Sequence, residues 1–199
     1  MNHTCHLVAP APEDLSHLVE LFTNPESRAF LGGPVEKHLA ITRSLDWIER
    51  SSTEPIWTIR RNEDLVFLDY VLLDSHHDGE DIEISYALLP TYWGRGYATE
   101  ALDLALTHAF DRLGFPKVIA ETQARNLRST RLLERIGMLP GKRLVRFGEE
   151  QSSMKSNRIL SGVPIWNEGF RDRGPAPISS AADKRPEFKR QELDAKLGY

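Results

Sequence analysis

The chain has 199 residues, with 25 Lys and Arg against 29 Asp and Glu, a formal net charge of -4 and 40% hydrophobic residues. This composition indicates one globular core, and the negative balance argues against general nucleic-acid binding through bulk charge. A single cysteine, Cys5, excludes an internal disulfide and a cysteine-based zinc site. We expect a cytoplasmic protein, since no apolar run is long enough for a membrane helix and the first residues do not resemble a signal peptide.

Hydrophobic spacing predicts the elements in chain order. Helices are predicted at 12–24 and 35–50, the second with Leu39, Leu45 and Ile48 facing inward. Three consecutive strands follow at 56–60, 65–73 and 82–89. The clearest helix covers 98–113 and is ended by Gly114 and Pro116, after which a strand at 117–122 and a helix at 126–136 complete the pattern.

Strands that alternate with helices in this order predict an α/β fold, a mixed sheet with helices on its faces. We place one domain at 1–160. The character of the sequence then changes, and 161–199 is expected to be a C-terminal extension, either a mobile tail, with a short helix at 187–197, or a packed arm.

Charge is unevenly distributed along the chain. Between Arg61 and Arg95 there are eight carboxylates and no Lys or Arg, whereas 125–146 has seven basic residues against Glu134. A solvated surface explains such blocks, and so does a protein that holds a polyanionic ligand on one side and a cationic substrate on the other.

The chemistry is expected in the segment Trp93-Gly94-Arg95-Gly96-Tyr97-Ala98-Thr99-Glu100, between a strand and the clearest helix. Free N–H groups at a helix start, reached by a loop without bulky side chains, form a phosphate site. A plain tight turn is the alternative. The dinucleotide motif would require a third glycine where Thr99 stands, and the Walker motif Gly-Lys-Ser/Thr is absent from the segment.

Four segments in order resemble the GNAT acetyltransferases, and within them the Rim-type branch that includes ribosomal-protein N-terminal acetyltransferases. They are Glu83-Ile84-Ser85-Tyr86-Ala87-Leu88-Leu89-Pro90, then 92–101, then Asn126-Leu127-Arg128-Ser129, and Ile136-Gly137-Met138. The resemblance covers roughly 7–152. Trp93 stands where the family signature has Gln or Arg, and the Rim-type branch commonly has a Trp-Gly pair at this place. It implies a central, mostly antiparallel sheet flanked by helices.

The resemblance also implies acetyl-CoA as co-substrate. The amides of Gly94, Arg95, Gly96, Tyr97, Ala98 and Thr99, with Trp93 before them, would hold the diphosphate. The strand segment 86–89 would offer backbone groups to the pantetheine arm, Leu88 and Leu89 among them, with a backbone N–H there polarising the thioester carbonyl. Asn126 matches the family's asparagine beside the pantetheine.

The resemblance also implies two candidate residues for proton transfer. Glu83 matches the strand glutamate that serves as general base, directly or through water, and a solvent-facing strand carboxylate is the alternative. The second candidate is the general acid for the leaving thiolate. Here the sequence differs from the family pattern, because Leu133 stands where many members have a tyrosine. Ser129, at a position where Rim-type enzymes can carry a functional serine, is the substitute candidate. Packing or capping at the helix start is the alternative role for Ser129, and Tyr86 and Tyr97 are less favoured candidates for the acid.

No metal site is expected: the polar residues around His76-His77 are interpreted as a turn between strands, although Asp74, Asp78 and Asp81 are near in sequence. The predicted partners are acetyl-CoA and an amine acceptor, a protein N-terminus or a small cationic amine, with no nucleic acid and no membrane, in a monomer or homodimer. The other hypotheses are a catalytically silent CoA-binding or regulatory module of the same fold, and an unrelated nucleotide-binding or scaffold protein.

Overall fold

The computed structural model describes residues 4–77, 79, 81–146 and 148–157. Within these residues seven strands form one sheet: β1 (Cys5–Val8), β2 (Ile56–Arg61), β3 (Phe67–Ser75), β4 (Ile82–Tyr86), β5 (Lys117–Gln123), β6 (Leu139–Arg146) and β7 (Glu149–Asn157). Their order across the sheet is β1-β2-β3-β4-β5-β7-β6. The extension predicted at 161–199, including its short helix, lies outside the described residues.

The helices are α1 (Leu15–Thr23), α2 (Lys37–Arg50), α3 (Tyr97–Thr107) and α4 (Leu127–Arg135). Short 3₁₀ turns occupy Pro12–Asp14 and Pro90–Tyr92, and α3 continues into a π-helical turn at His108–Arg112. None of the described helices is long and apolar enough to cross a membrane.

The sheet has two apolar faces because side chains alternate along each strand. On one face Trp57, Val71 and Ile84 pack with the apolar stripe of α3 and with Leu133 of α4. On the other face a smaller cluster of Leu21, Ile56, Tyr70 and Leu72 packs with Trp47 of α2. We call these the α3 face and the α1 face.

The predicted fold class is confirmed, with a sheet in which β4–β5 is the one parallel pair among the described strands. The predicted strands and helices are present, with ends shifted by a few residues. One inward residue is wrong: Leu45 is 51% exposed, and α2 instead buries Ala40 and Ser44. A buried serine is tolerated there because Ser44 Oγ donates to the Ala40 carbonyl at 2.8 Å.

Three strands were not predicted. β1 has only four residues, and β7 (EEQSSMKSN) buries only Gln151 and Met154, so neither carries a recognisable apolar alternation. β6 contains Pro140 and Gly141 beside exposed basic residues. Their pairing with stronger neighbours, rather than their own pattern, makes these segments strands.

β1 ties the start of the described chain to α3. The Thr4 N–H donates to Glu100 Oε1 at 2.8 Å, and the Thr4 hydroxyl bonds the other carboxylate oxygen. Cys5 is fully buried in the core of the α3 face. Burial raises the pKa of the Cys5 thiol well above its ordinary value, which keeps it in the inert protonated form.

β4 separates from β5 after two pairs. Register joins Ile82 to Val118 and Glu83 to Ile119, and no later residue of β4 pairs with β5. β4 instead follows β3, with bonds from Ala87 N to Tyr70 O and from Leu89 N to Leu68 O. The sheet is therefore split between the C-terminal ends of β4 and β5. We call this split the wedge.

Asp69 is an ionisable residue that is fully buried on the α3 face. Its Oδ1 accepts from the Tyr70 N–H at 2.8 Å, and among the described residues Oδ2 has no hydrogen-bond partner. Desolvation raises the pKa of the Asp69 carboxyl well above its ordinary value, so folding favours the neutral form.

We expect Asp69→Asn to raise the melting temperature at pH 8. In the unfolded chain the carboxyl ionises near ~3.9 while the folded chain keeps its proton, so wild-type stability falls as pH rises from there toward the folded pKa. The Asp69→Asn variant has no ionisable group at this position, so its stability does not fall in this way. Its advantage in melting temperature over wild type should therefore shrink toward pH 4. Thermal unfolding across pH 4–8 measures this.

The control is Asp64→Asn on an exposed turn, where the hydrogen bonds from Arg61 lower the pKa of the carboxyl. That variant should be slightly less stable than wild type at pH 8. A destabilised Asp69→Asn at pH 8 would contradict a neutral Asp69.

Candidate active site

The predicted glycine loop leads directly into α3. Gly94 has φ 75° and Gly96 has φ 90°, left-handed conformations that favour glycine, and Gly96 is the N-cap of α3. The first helical bond runs from Glu100 N to Gly96 O at 3.2 Å. The N–H groups of Tyr97, Ala98 and Thr99 therefore have no acceptor within the helix and point out of its positive end.

Trp93 fastens this loop to the wedge. Its indole Nε1–H donates to the Leu88 carbonyl at 2.6 Å. The Arg128 guanidinium of α4 lies over the Trp93 ring, 4.5 Å from the centroid. One side chain therefore connects the end of β4, the glycine loop and the start of α4. The exposed Arg95 lies in the same loop.

The backbone of Leu88 faces the wedge. Ala87 and Leu89 direct their N–H groups to β3, and in an antiparallel pair the intervening residue directs its N–H and C=O to the opposite side. The Leu88 carbonyl is taken by Trp93, which leaves its N–H directed into the wedge. The Leu89 N–H and C=O are both used within the protein, the latter by Tyr92 N.

α4 begins at the other side of the wedge, directly after β5. Asn126 is its N-cap, and its Oδ1 accepts from Ser129 N at 3.2 Å. Ser129 Oγ lies 2.8 Å from the Tyr86 hydroxyl of β4. Burial raises the pKa of Tyr86 to about 12, partly offset by the bond to Ser129. The capping alternative proposed for this segment thus applies to Asn126, whereas the Ser129 side chain bonds across the wedge.

Leu133 is fully buried in the core of the α3 face. It therefore offers no polar atom to a reacting group. The Tyr97 side chain bonds Arg61 of β2. Among the hydroxyls named as proton donors, Ser129 and Tyr86 are the two that the structure brings together.

Glu83 lies on the opposite face of the sheet. Its register partners are Asp74 and Ile119, on the α1 face, and its side chain is half-buried. Part of the surrounding acidic block is already neutralised: Asp74 Oδ2 is 3.8 Å from Arg50 Nη2, and Asp81 Oδ1 is 2.5 Å from Lys117 Nζ.

A histidine-carboxylate cluster lies on this same face. His76 Nε2 is 3.4 Å from Glu121 Oε1 of β5, and the rings of His76 and His77 are 3.8 Å apart. Ligand atoms of these three residues lie within 4.8 Å of one another. Glu121 was not predicted as a member of this cluster, because it lies in β5, far in sequence from His76 and His77. Only the fold brings it next to the turn. Its other oxygen is 3.8 Å from Arg146, so a cation already faces the carboxylate.

The described side chains thus present two sets of groups on opposite faces. The loop at 93–99, Leu88, Asn126 and Ser129 surround the wedge where α3 and α4 begin. Glu83 is on the α1 face, at the last position where β4 still pairs with β5. Such an arrangement suits a reaction in which an anionic ligand enters by the helix starts and a second reactant approaches from the other face.

The chain is similar to known acetyltransferases in family and fold. The family model described as an acetyltransferase (GNAT) domain matches residues 5–139. A Bacillus subtilis (strain 168) protein named as an uncharacterized N-acetyltransferase, YnaD, is 29% identical over 87 residues, 44% of this chain. The matched region spans 51% of that relative's length, about half of it.

Two solved structures share the fold. A GNAT-family acetyltransferase from Bacillus anthracis superimposes with a TM-score of 0.70 at 15% identity, covering 79% of this chain and 96% of that one. Spermidine N-acetyltransferase from Vibrio cholerae, solved with CoA and spermine, gives a TM-score of 0.68 at 18% identity, covering 78% and 96%. At these identities the likeness is one of fold.

Proposed function

The chain belongs to the GNAT acetyltransferase family, and on that premise we propose that it transfers an acetyl group from acetyl-CoA to a primary amine. The amine attacks the thioester directly while both substrates are bound. The observation that carries this proposal is the wedge, which is bordered by the amide-rich start of α3 and by the open backbone of Leu88.

The acetyl-CoA diphosphate is assigned to the loop. Amides of Gly94, Arg95 and Gly96, with the free first-turn amides of Tyr97, Ala98 and Thr99, supply donors and the positive end of a helix. Trp93 keeps the loop in place through its bonds to Leu88 and Arg128. Glycine is required at 94 and 96 because both positions have a positive φ angle, which is unfavourable for a residue with a side chain.

The pantetheine arm is assigned to the wedge. There the N–H of Leu88 is directed away from β3 and would donate to the thioester oxygen, which gains negative charge as the amine adds. Leu89 would contribute its side chain, because its backbone groups are bonded within the protein. The side-chain amide of Asn126 is at the opposite border, and its Oδ1 is fixed by the Ser129 N–H.

Glu83 is proposed as the general base. An alkylammonium with a pKa near ~10 is not nucleophilic until it loses a proton, and a carboxylate on the amine's side of the sheet would accept it, directly or through water. Glu83 is on the α1 face, opposite the helix starts assigned to acetyl-CoA. Ser129 is proposed to donate to the departing sulfur on the α3 face.

The acceptor is proposed to be cationic, either a protein N-terminus as in the Rim-type branch or a small amine. The Trp93-Gly94 pair and Ser129 support that branch, and the carboxylate-rich sequence between Arg61 and Arg95 favours a positively charged acceptor. The ion pairs of Asp74 and Asp81 reduce this charge. The cytoplasmic location expected from the sequence remains a prediction.

The loop assignment predicts ligand-dependent stability. Saturating acetyl-CoA, at ~100 times its Kd, should stabilise the wild-type protein by about 2.7 kcal/mol, a shift of several degrees, whereas NAD should not. Gly96→Ala forces a left-handed alanine at a cost of ~1–2 kcal/mol and should lose most of the acetyl-CoA shift. Thermal unfolding with and without ligand measures both effects.

Gly114→Ala is the matched control, because Gly114 has φ +70° and open space around a Cβ, as Gly96 does, but ends the π turn far from the loop in sequence. It should lose similar stability and keep the full ligand shift. Equal ligand shifts in both variants would contradict the loop assignment.

The base assignment predicts a pH-dependent defect. Glu83→Gln should lower kcat by ~10²–10⁴ at pH 7 with an unchanged acetyl-CoA shift. The defect should narrow toward pH 10, because a growing fraction of the amine has already lost its extra proton there. Thiol release from acetyl-CoA in an amine panel, starting with Ala- and Ser-initiated peptides and polyamines, measures it; the buried Cys5 thiol adds little background.

Glu63→Gln removes the same charge from an exposed turn of the acidic block and should leave kcat unchanged. A pH-independent loss in Glu83→Gln would show that Glu83 does not act as a base. Acetyl-CoA binding without thiol release for any amine would instead favour the catalytically silent module, for which the buried Leu133 is the supporting observation.

A further inference from the structure

The bond between Tyr86 and Ser129 spans the wedge on the α3 face. The two hydroxyl oxygens are 2.8 Å apart, although one belongs to β4 and the other to α4, 43 residues later. Tyr86 packs against the buried core of the α3 face, and Ser129 is fixed by the Asn126 cap. Both partners are therefore held in place before any ligand arrives.

The direction of this bond follows from acidity. A phenol, with an ordinary pKa of ~10, is a stronger hydrogen-bond donor than an aliphatic hydroxyl, which is about as weak an acid as water. Tyr86 also keeps its proton throughout the physiological range, because burial raises its pKa. Tyr86 therefore donates and Ser129 accepts, which leaves the hydrogen of Ser129 for another acceptor.

Ser129 alone is a poor source of a proton. A thiol has a pKa of ~8.5, so transfer from an unassisted serine to a thiolate is unfavourable by a pKa difference of about 7. A donated hydrogen bond, by contrast, stabilises the thiolate without moving the proton, and it is stronger when the serine oxygen itself accepts a bond.

We infer that Tyr86 is a positioning residue that turns the Ser129 hydroxyl toward the sulfur of acetyl-CoA, so that the pair stabilises the thiolate as it departs. This rests on the proposed acetyl transfer. When the tetrahedral intermediate collapses, the C–S bond breaks and its electron pair goes to sulfur. Ser129 donates to that sulfur, Tyr86 donates to Ser129, and both retain their protons. The thiolate takes a proton from water after release, and the amine proton goes to Glu83 or water.

This arrangement replaces the missing tyrosine of α4. Leu133 is buried in the core and has no polar atom to offer, whereas Ser129 is half-exposed at the first turn of α4. The phenol thus comes from β4 and acts through a serine, rather than reaching the sulfur from α4.

The test uses CoA itself on the full chain, so it requires no amine. The thiol pKa of bound CoA is followed by the ultraviolet absorbance of the thiolate in wild type, Tyr86→Phe, Ser129→Ala and the double variant. In wild type it should lie below its value for free CoA. It should rise by about one unit in Ser129→Ala and by about half as much in Tyr86→Phe, and the double variant should match Ser129→Ala.

Steady-state kinetics give the second readout. Tyr86→Phe should lower kcat about tenfold with the KM for acetyl-CoA unchanged, and should add nothing in the Ser129→Ala background. Tyr70→Phe is the control, a buried tyrosine on the α1 face that should lose stability without changing the thiol pKa of bound CoA.

The outcomes are separable. Bound CoA with the same thiol pKa in wild type, Tyr86→Phe and Ser129→Ala overturns this inference and leaves the proposed function intact. Independent, multiplicative losses in the double variant also overturn it, since Tyr86 would then not act through Ser129. Failure of the wild-type chain to bind CoA overturns the proposed function and this inference together.

Discussion

The divergence of β4 from β5 is the constraint on which the rest of the structure depends. A sheet gains stability by pairing every strand, yet here only Ile82 and Glu83 pair across this junction. The backbone groups of β4 that would have bonded β5 then need other partners, because unpaired buried amides and carbonyls are costly. The indole of Trp93 meets this need for the Leu88 carbonyl. The Leu88 N–H remains directed at the wedge and is the group best placed to bind a ligand carbonyl.

The same divergence explains why the start of α4 matters. α4 follows β5 after a short turn, and its capped first turn faces the strand from which β5 has separated. Tyr86 and Arg128 span this separation on the α3 face, one through Ser129 and the other over the Trp93 ring. The wedge is therefore held open by pairwise contacts rather than left to fluctuate, which is what a preorganised site requires.

Local sequence patterns were sufficient for most of the fold. The strands β2–β5 and all four helices follow from apolar periodicity, and the glycine loop follows from two glycines before a helix start. The positive φ angles of Gly94 and Gly96 give the physical reason for that pattern. The polar strands β6 and β7 could not be predicted, since their pairing partners rather than their own side chains decide their conformation.

The arrangement of the candidate site could be predicted from the sequence only in part. Glu83, Ser129 and Asn126 were named through family resemblance, but spacing alone could not show that Tyr86 bonds Ser129, or that Glu121 meets His76. Those contacts join residues more than forty positions apart, and they depend on which face each strand residue occupies. The prediction that Leu45 faces inward was wrong for a related reason. α2 buries Ser44 instead, and an apolar pattern does not identify a serine as buried even though its hydroxyl is hydrogen-bonded within the helix.

The π turn at the end of α3 gives the helix two ends of different character. Leu113 N bonds His108 O and Phe115 N bonds Ala109 O, so this turn holds more residues than an α turn. A gain or loss of one residue there can be absorbed by converting between π and α winding. The opposite end, with its outward amides, would keep its place against β1. Natural variation in helix length is therefore expected to accumulate around His108–Arg112 and to leave the N-terminal turn unshifted.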